Sequence, residues 1–173
     1  FYGFLGAETN YHSPGQIVEG NEFVSIDDYG PGYFSTDDFT GRAVSWVKSH
    51  RSANPEKPFF LYFAPNAPHT PHHAKTKDII KYKGRYDSGW DSLRQERFKR
   101  QKQLGVVGAD WELPGLTPGV PAWKDVPEEK HELLAAYMEI YAGLVDNLDQ
   151  NIGRLVETLE QLGIFNDTLF LIT

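Results

Sequence analysis

The chain of 173 residues contains no cysteine. It therefore has no disulfide bond and no thiolate nucleophile, and its redox compartment cannot be read from its sequence. It also lacks any apolar run near the roughly 20 residues that a membrane-spanning helix needs. Lysine and arginine (17) are outnumbered by aspartate and glutamate (24), for a formal charge of −7. This balance does not favour a nucleic-acid surface, so we expect neither nucleic acid nor membrane as a partner.

Two common catalytic signatures are absent as well. No Gly-x-Ser-x-Gly elbow surrounds a serine, and no glycine-rich phosphate loop of either common pattern occurs. The composition, 40% hydrophobic and 24% charged, is ordinary for a globular protein, and the length suits one domain with a core. The residues by themselves therefore predict a scaffold without a complete catalytic set.

The most informative stretch is residues 57–73, where a short apolar run ends in a turn rich in proline and histidine. Residues 59–64 have no polar face, which predicts a fully buried strand. Pro65, Pro68 and Pro71 cannot extend a sheet, so the chain leaves the core as a stiff loop. His69 lies five residues past the apolar run. Because ligands bind beyond the carboxyl ends of parallel strands, and histidine exchanges protons near neutral pH, His69 is a candidate functional residue, with a surface or hydrogen-bonded structural role as the alternative.

The remaining pattern predicts three helices and a second buried strand. Helices are expected from Thr36 or Asp37 to about His50, over residues 87–104, and over residues 128–162, the last with an apolar residue every three or four positions. Gly153, inside the long helix, is expected to mark a close contact. Residues 1–34 and 106–127 read as loops, and residues 168–173 as a strand. This order is typical of an α/β fold with a parallel sheet.

Several clusters admit a binding role beside a simpler structural one. His69, His72 and His73 could ligate a metal, but Pro71 disfavours a shared helical face and no carboxylate is adjacent. The paired acids at 27–28 and 37–38 could bind a hard cation, although Asp37 is more simply a helix cap or first-turn acid. Solvent-facing or capping roles are expected for Asp146 and Asp149. The remaining histidines look like surface residues: His12, His50 and His131.

Six ordered segments resemble bacterial arylsulfatases of the formylglycine-dependent sulfatase family, within the alkaline-phosphatase-like superfamily. Each segment alone is a weak signal, but their order along nearly the whole chain is specific. They lie at residues 1–6 (Phe-Tyr-Gly-Phe-Leu-Gly), 33–37 (Tyr-Phe-Ser-Thr-Asp), 57–62 (Lys-Pro-Phe-Phe-Leu-Tyr), 67–71 (Ala-Pro-His-Thr-Pro), 82–87 (Tyr-Lys-Gly-Arg-Tyr-Asp) and 149–153 (Asp-Gln-Asn-Ile-Gly).

The resemblance implies an alkaline-phosphatase-like sandwich, a mostly parallel sheet flanked by helices that is incomplete in this chain. It implies hydrolysis of small-molecule or carbohydrate sulfate esters by a formylglycine hydrate, with a divalent cation, usually calcium, on the sulfate oxygens. The histidine of the Ala-Pro-His motif contacts the sulfate group or protonates the leaving oxygen; here it is His69. A periplasmic or secreted location is favoured over a cytoplasmic one.

Departures from the family pattern limit what this chain is expected to do. No cysteine and no Ser-x-Pro-x-Arg is present, and the metal-binding acid pairs of the family match positions outside the chain. The acids at 27–28 imitate one pair but follow the wrong segment. We therefore expect residues 1–173 to be an internal part of one sulfatase catalytic domain, truncated at both ends and inactive alone. The alternatives are a phosphodiesterase or phosphonate hydrolase of the superfamily, or a sulfatase-like binding module.

Overall fold

A computed structural model describes residues 1–6, 8–24 and 29–172. In this part of the chain, helices dominate and the sheet is small. The strands are β1 (Tyr2–Gly3), β2 (Ile17–Glu19) and β3 (Glu22–Val24), and the helices are α1 (Ser35–Ala53), α2 (Thr76–Ile79), α3 (Gly89–Gln103) and α4 (His131–Gln161). Single 3-10 turns lie at Ile80–Tyr82, Trp123–Asp125, Glu128–Lys130 and Phe165–Asp167. None of the helices in these ranges is long and apolar enough to cross a membrane.

Helices α1, α3 and α4 lie close to the three ranges predicted for helices. The 3-10 turn Glu128–Lys130 leads into α4, and Gly163, with φ of 69°, follows its last turn. A residue with positive φ ends a helix at little cost when it is glycine. Helix α3 also forms as predicted and is followed by Gly105, with φ of 69°. Gly89 is its one buried residue, so the other residues of α3 are at least partly exposed.

Helices α1 and α4 pack on each other and carry the two apolar clusters of the core. Val47 of α1 meets Leu155 and Leu159 of α4 and Ile164 beyond it. The second cluster joins Leu144 of α4 to residues from three loops, listed as Tyr11, Phe34 and Ala67. Burying these side chains removes apolar surface from water, which is the main force holding the helices together.

The prediction that residues 1–34 form a loop is wrong, because β1, β2 and β3 make an antiparallel sheet there. Ile17 pairs with Val24 and Glu19 with Glu22, while Tyr2 of β1 pairs with Glu19. Gly20 and Asn21 connect β2 to β3, and Gly20 has φ of 64°. Two short apolar runs separated by Gly-Asn are a hairpin signal.

The two predicted buried strands are not strands in this structure. No backbone hydrogen bond joins residues 59–64 or 169–172 to another segment of the described chain; Thr173 lies outside the described residues. Phe59 and Leu61 pack on the Val47 cluster, but Phe60 is 84% and Tyr62 is 82% exposed. The alternation of covered and exposed side chains is that of a strand with one face covered. A strand also needs a hydrogen-bonded neighbour, which residues 59–64 do not have among the described residues. The described sheet is therefore small and antiparallel, and no parallel sheet forms within it.

Candidate functional site

The loop of residues 65–74 follows the apolar run and carries His69. Its prolines direct the chain away from any regular element, as predicted. The peptide bonds Ala67–Pro68 and Thr70–Pro71, on either side of His69, are cis. The His69 backbone N–H donates to the Asn66 carbonyl at 2.7 Å, which closes a tight turn.

Buried core residues hold the backbone of this loop in place. Ala67 is buried in the cluster with Tyr11 and Phe34, whose rings stack with centroids 5.4 Å apart. The Tyr11 hydroxyl donates to the His69 carbonyl at 2.9 Å. Burial raises the pKa of Tyr11 above its usual value, so the phenol keeps the proton that it donates. Buried residues thus fix where the backbone of His69 lies in the fold.

The imidazole of His69 is exposed, and one side of it is engaged. Nδ1 lies 2.8 Å from the Thr70 carbonyl oxygen. Because a carbonyl oxygen only accepts, Nδ1 carries the hydrogen in this contact. The Thr70 hydroxyl donates to the Glu8 carboxylate at 3.2 Å, and that carboxylate lies 3.8 Å from Nδ1. The side chain of His69 is 57% exposed, so a group arriving from solvent can reach the ring.

A polar network holds the chain where the loop ends. Lys75 pairs with Asp37 of the first turn of α1. Asn147 and Asn151 of α4 donate to the other oxygen of Asp37 at 3.2 and 2.8 Å. Burial alone raises the pKa of Asp37, but the hydrogen bonds from Lys75, Asn151 and Asn147 together bring that pKa below its usual value. Asp37 is a first-turn acid, as predicted, but its side chain bridges α1, α4 and the loop instead of capping α1.

The other histidines of the loop serve packing. The His72 ring meets Tyr141 edge-on with centroids 5.5 Å apart, and the His73 ring lies 6.3 Å from Tyr11. His73 Nδ1 is buried without a hydrogen-bond partner in the described structure. Among the residues that the structure describes, no three His, Cys, Asp or Glu side chains converge as a metal site would require. The acids at positions 27–28 lie outside the described residues.

Histidines expected at the surface have structural partners. His131 stacks on Trp123 with centroids 4.3 Å apart and its Nε2 lies 3.0 Å from the Val126 carbonyl. His50 stacks on Trp46 at 5.3 Å. These rings anchor the starts and ends of helices, which spacing in the sequence does not reveal.

The expectation for Asp146 is wrong, whereas Asp149 is exposed as predicted. Asp146 accepts from Lys81, Tyr82 and Gln150 at 3.0, 3.1 and 2.6 Å. Burial raises its pKa, but the bonds from Lys81, Gln150 and Tyr82 together bring the pKa below its usual value. Asp146 therefore ties the 3-10 turn Ile80–Tyr82 to α4.

Sequence reasoning did not find Glu8 and Tyr11 as neighbours of His69. Both belong to a segment read as loop, 58 or more positions away from His69. Side chains so far apart in the chain meet only through the tertiary fold, and no spacing rule predicts such a pair.

Comparisons with known proteins give one consistent result. The family model described as "Sulfatase" matches residues 1–173. An arylsulfatase of Klebsiella aerogenes is 32% identical over 165 residues, which are 95% of this chain and 34% of that protein. A sulfatase of Schizosaccharomyces pombe, named as uncharacterized, is 33% identical over 138 residues, 79% of this chain and 24% of that protein. The chain thus spans about a third or less of the length of these relatives.

Proposed function

Because the chain belongs to the sulfatase family, we propose that the intact protein hydrolyses sulfate esters, as a sulfuric ester hydrolase of arylsulfatase type. The observation that carries the proposal is the family match along all 173 residues, with an arylsulfatase 32% identical over 95% of the chain. The substrates proposed are small-molecule or carbohydrate sulfate esters. Membership implies an alkaline-phosphatase-like α/β fold, in which we propose that residues 59–64 and 168–172 pair as parallel strands.

We propose that His69 is the catalytic residue that this chain supplies. Its Nδ1 is occupied by the Thr70 carbonyl, and its exposed ring leaves Nε2 for the sulfate group. From Nε2 the protonated ring donates to the leaving oxygen as the sulfur–oxygen bond breaks, so the departing group leaves as an alcohol or phenol. Positioned proton donors of this kind accelerate reactions by roughly 10² to 10⁴.

The family generally depends on a metal, and we propose calcium in the intact enzyme, with ligands that this chain does not hold. The described residues do not fit such a site, since no three candidate ligands converge among them. No catalytic step is therefore derived through a cation. The chain also has no cysteine, so the formylglycine nucleophile proposed for the intact protein is not made from a cysteine of these residues.

The test is turnover of 4-nitrophenyl sulfate by the intact protein and by the His69→Ala variant. We expect kcat to fall by at least about tenfold, since a positioned general acid is typically worth roughly 10² to 10⁴. His72→Ala is the matched control, because it removes an exposed ring three residues away on the same loop and should leave kcat within about twofold. Undiminished turnover in His69→Ala would remove this residue from the mechanism. A preference for phosphate diesters over sulfate esters would favour a phosphodiesterase.

A further inference from the structure

The polar side chains around the His69 ring point to a second functional residue, and this inference rests on the proposed function. We propose that Glu8 is a positioning residue for His69. Acting through the Thr70 hydroxyl, its carboxylate holds the imidazole with Nδ1 facing the protein and Nε2 facing the sulfate group.

The contacts form a closed arrangement of three side chains. The Thr70 hydroxyl donates to Glu8 Oε2 at 3.2 Å and lies 3.4 Å from His69 Nδ1, and the same Glu8 oxygen is 3.8 Å from Nδ1. Nδ1 itself lies 2.8 Å from the Thr70 carbonyl oxygen. All the polar partners of the ring therefore lie on its Nδ1 side. Nε2 has no protein partner among the described residues, so it is the nitrogen available to an incoming group.

Tyr11 completes the arrangement from the backbone side. Its buried hydroxyl holds the His69 carbonyl at 2.9 Å, and it lies three residues after Glu8. One short segment thus fixes both the backbone and the ring of His69. Tyr11 fixes the backbone position of His69, and Glu8 fixes the orientation of the His69 side chain.

The contact between Glu8 and His69 does little for stability, because the two side chains are 58% and 57% exposed. Interactions between exposed charged groups contribute little to folding. Orientation is different, because a transferred proton must start close to, and aligned with, the oxygen that receives it. As an oxygen of the nucleophile proposed for the intact protein bonds to sulfur, the electron pair of the old sulfur–oxygen bond ends on the leaving oxygen, which takes the proton as Nε2–H breaks. A ring that rotates freely meets this geometry less often.

The experiment compares phenyl sulfate, a poor leaving group, with 4-nitrophenyl sulfate, a good one, in the intact protein. Loss of proton donation costs most when the leaving oxygen is basic. We expect Glu8→Gln to lower kcat for phenyl sulfate by about two- to fivefold, the range open to an exposed interaction. The loss should be smaller for 4-nitrophenyl sulfate, and KM should change less than kcat. Glu56→Gln, in the exposed loop after α1, is the matched control and should change neither substrate.

Two further variants separate orientation from packing. Thr70→Val removes the bridging hydroxyl at nearly constant volume and should reproduce Glu8→Gln, whereas Thr70→Ser keeps the hydroxyl and should retain activity. Glu8→Gln combined with His69→Ala should be no worse than His69→Ala alone, because a positioning residue acts only through the residue that it positions.

The outcomes distinguish this inference from the proposed function. Unchanged kcat in His69→Ala overturns both. Impaired His69→Ala with unchanged Glu8→Gln, equal losses on the two substrates, or additive losses in the double variant overturns the role of Glu8 alone. If neither sulfate is turned over, ¹⁵N shifts of the His69 ring decide the question. A single Nδ1–H tautomer that becomes mixed in Glu8→Gln supports the inference, and identical shifts in the two proteins overturn it.

Discussion

Gly143 is the residue that lets α2 and α4 approach each other. A Cβ built on it would stand 2.9 Å from Ile79 N and 3.1 Å from the Asp78 carbonyl carbon, both in the backbone of α2. Backbone atoms held in a helix cannot move aside as a flexible side chain does. Gly153, the other glycine of α4, has no atom of a neighbouring segment within 4 Å of its Cβ position. The expected close contact at Gly153 is therefore wrong, and Gly143 makes it instead.

The two glycines should respond oppositely to alanine. Gly143→Ala is expected to destabilise the protein by about 1–3 kcal/mol, because overpacking a tight contact forces the helices apart. Gly153→Ala is expected to stabilise it by about 0.5–1 kcal/mol, because alanine loses less backbone entropy in a helix. Urea denaturation of each variant beside the parent protein measures both changes. Equal effects of the two substitutions would contradict the packing shown at Gly143.

At the scale of elements, a polar contact joins α1 to α4 beside the apolar one. The Asp37 carboxylate receives hydrogen bonds from Asn147 and Asn151 and pairs with Lys75. Arg154 extends the network by donating to Asn151 Oδ1 at 2.7 Å. Because Lys75 directly follows the loop of His69, this network links the helix pair to the candidate site.

Replacing Asp37 with asparagine should lower stability at pH 7 by about 1–3 kcal/mol, since it leaves the Lys75 ammonium without its carboxylate. The folded-state pKa of Asp37 lies below its unfolded value. Its contribution is therefore complete above the unfolded pKa, about 3.9, and is lost as the pH falls through the lower folded value. The difference between parent and Asp37→Asn should shrink as pH falls below about 4.

Urea denaturation at pH 7 and at pH 3 measures this difference. Asp149→Asn, an exposed aspartate on α4, is the control and should cost less than about 0.5 kcal/mol at either pH. A difference between parent and Asp37→Asn that stayed constant or grew on acidification would show that Asp37 gains nothing from its charge in the folded state.

Over the whole molecule, the described residues present the proposed catalytic histidine, His69, without a converged set of metal ligands. The chain also has no cysteine. Apolar side chains are also exposed in two segments. Leu169 and Leu171, after the last 3-10 turn, are largely exposed, and so are Phe60 and Tyr62 in the apolar run before the His69 loop. The helices form a base for the His69 loop, and the described surface contains no formed cation pocket around it.

Residues 1–173 expressed alone should therefore not hydrolyse 4-nitrophenyl sulfate above the rate in buffer with calcium, while the intact protein should. A proton donor without its nucleophile has no bond-forming partner to assist. The measurement is release of 4-nitrophenol at equal protein concentrations. Calcium-stimulated release by the 173-residue chain, abolished by His69→Ala, would show that it holds a complete site.

The long helices could be read from the sequence because their signals are local. Apolar spacing of three and four residues and a glycine after the last turn predict α4 to within a few residues. The hairpin at Gly20–Asn21 has an equally local signal, a Gly-Asn pair between two short apolar runs. The apolar face predicted for α4 is buried along only part of the helix. Leu144, Leu155 and Leu159 are buried, whereas Leu133 and Tyr137 are exposed. Periodicity predicts which face is apolar, but it does not predict where a neighbouring element covers that face.

For the candidate site, too, local sequence predicts one part and only the tertiary fold determines the other. The prolines around His69 and the abrupt end of the apolar run mark the loop from neighbouring residues alone, since proline limits its own backbone wherever it stands. The environment of His69 arises only when residues far apart in the chain meet. Glu8 and Tyr11 reach it from 58 or more positions away, and Asp37 meets Asn151 across 114. Local chemistry thus determines the long helices and where the loop begins, while strand pairing and the contacts that orient the imidazole belong to the packed molecule.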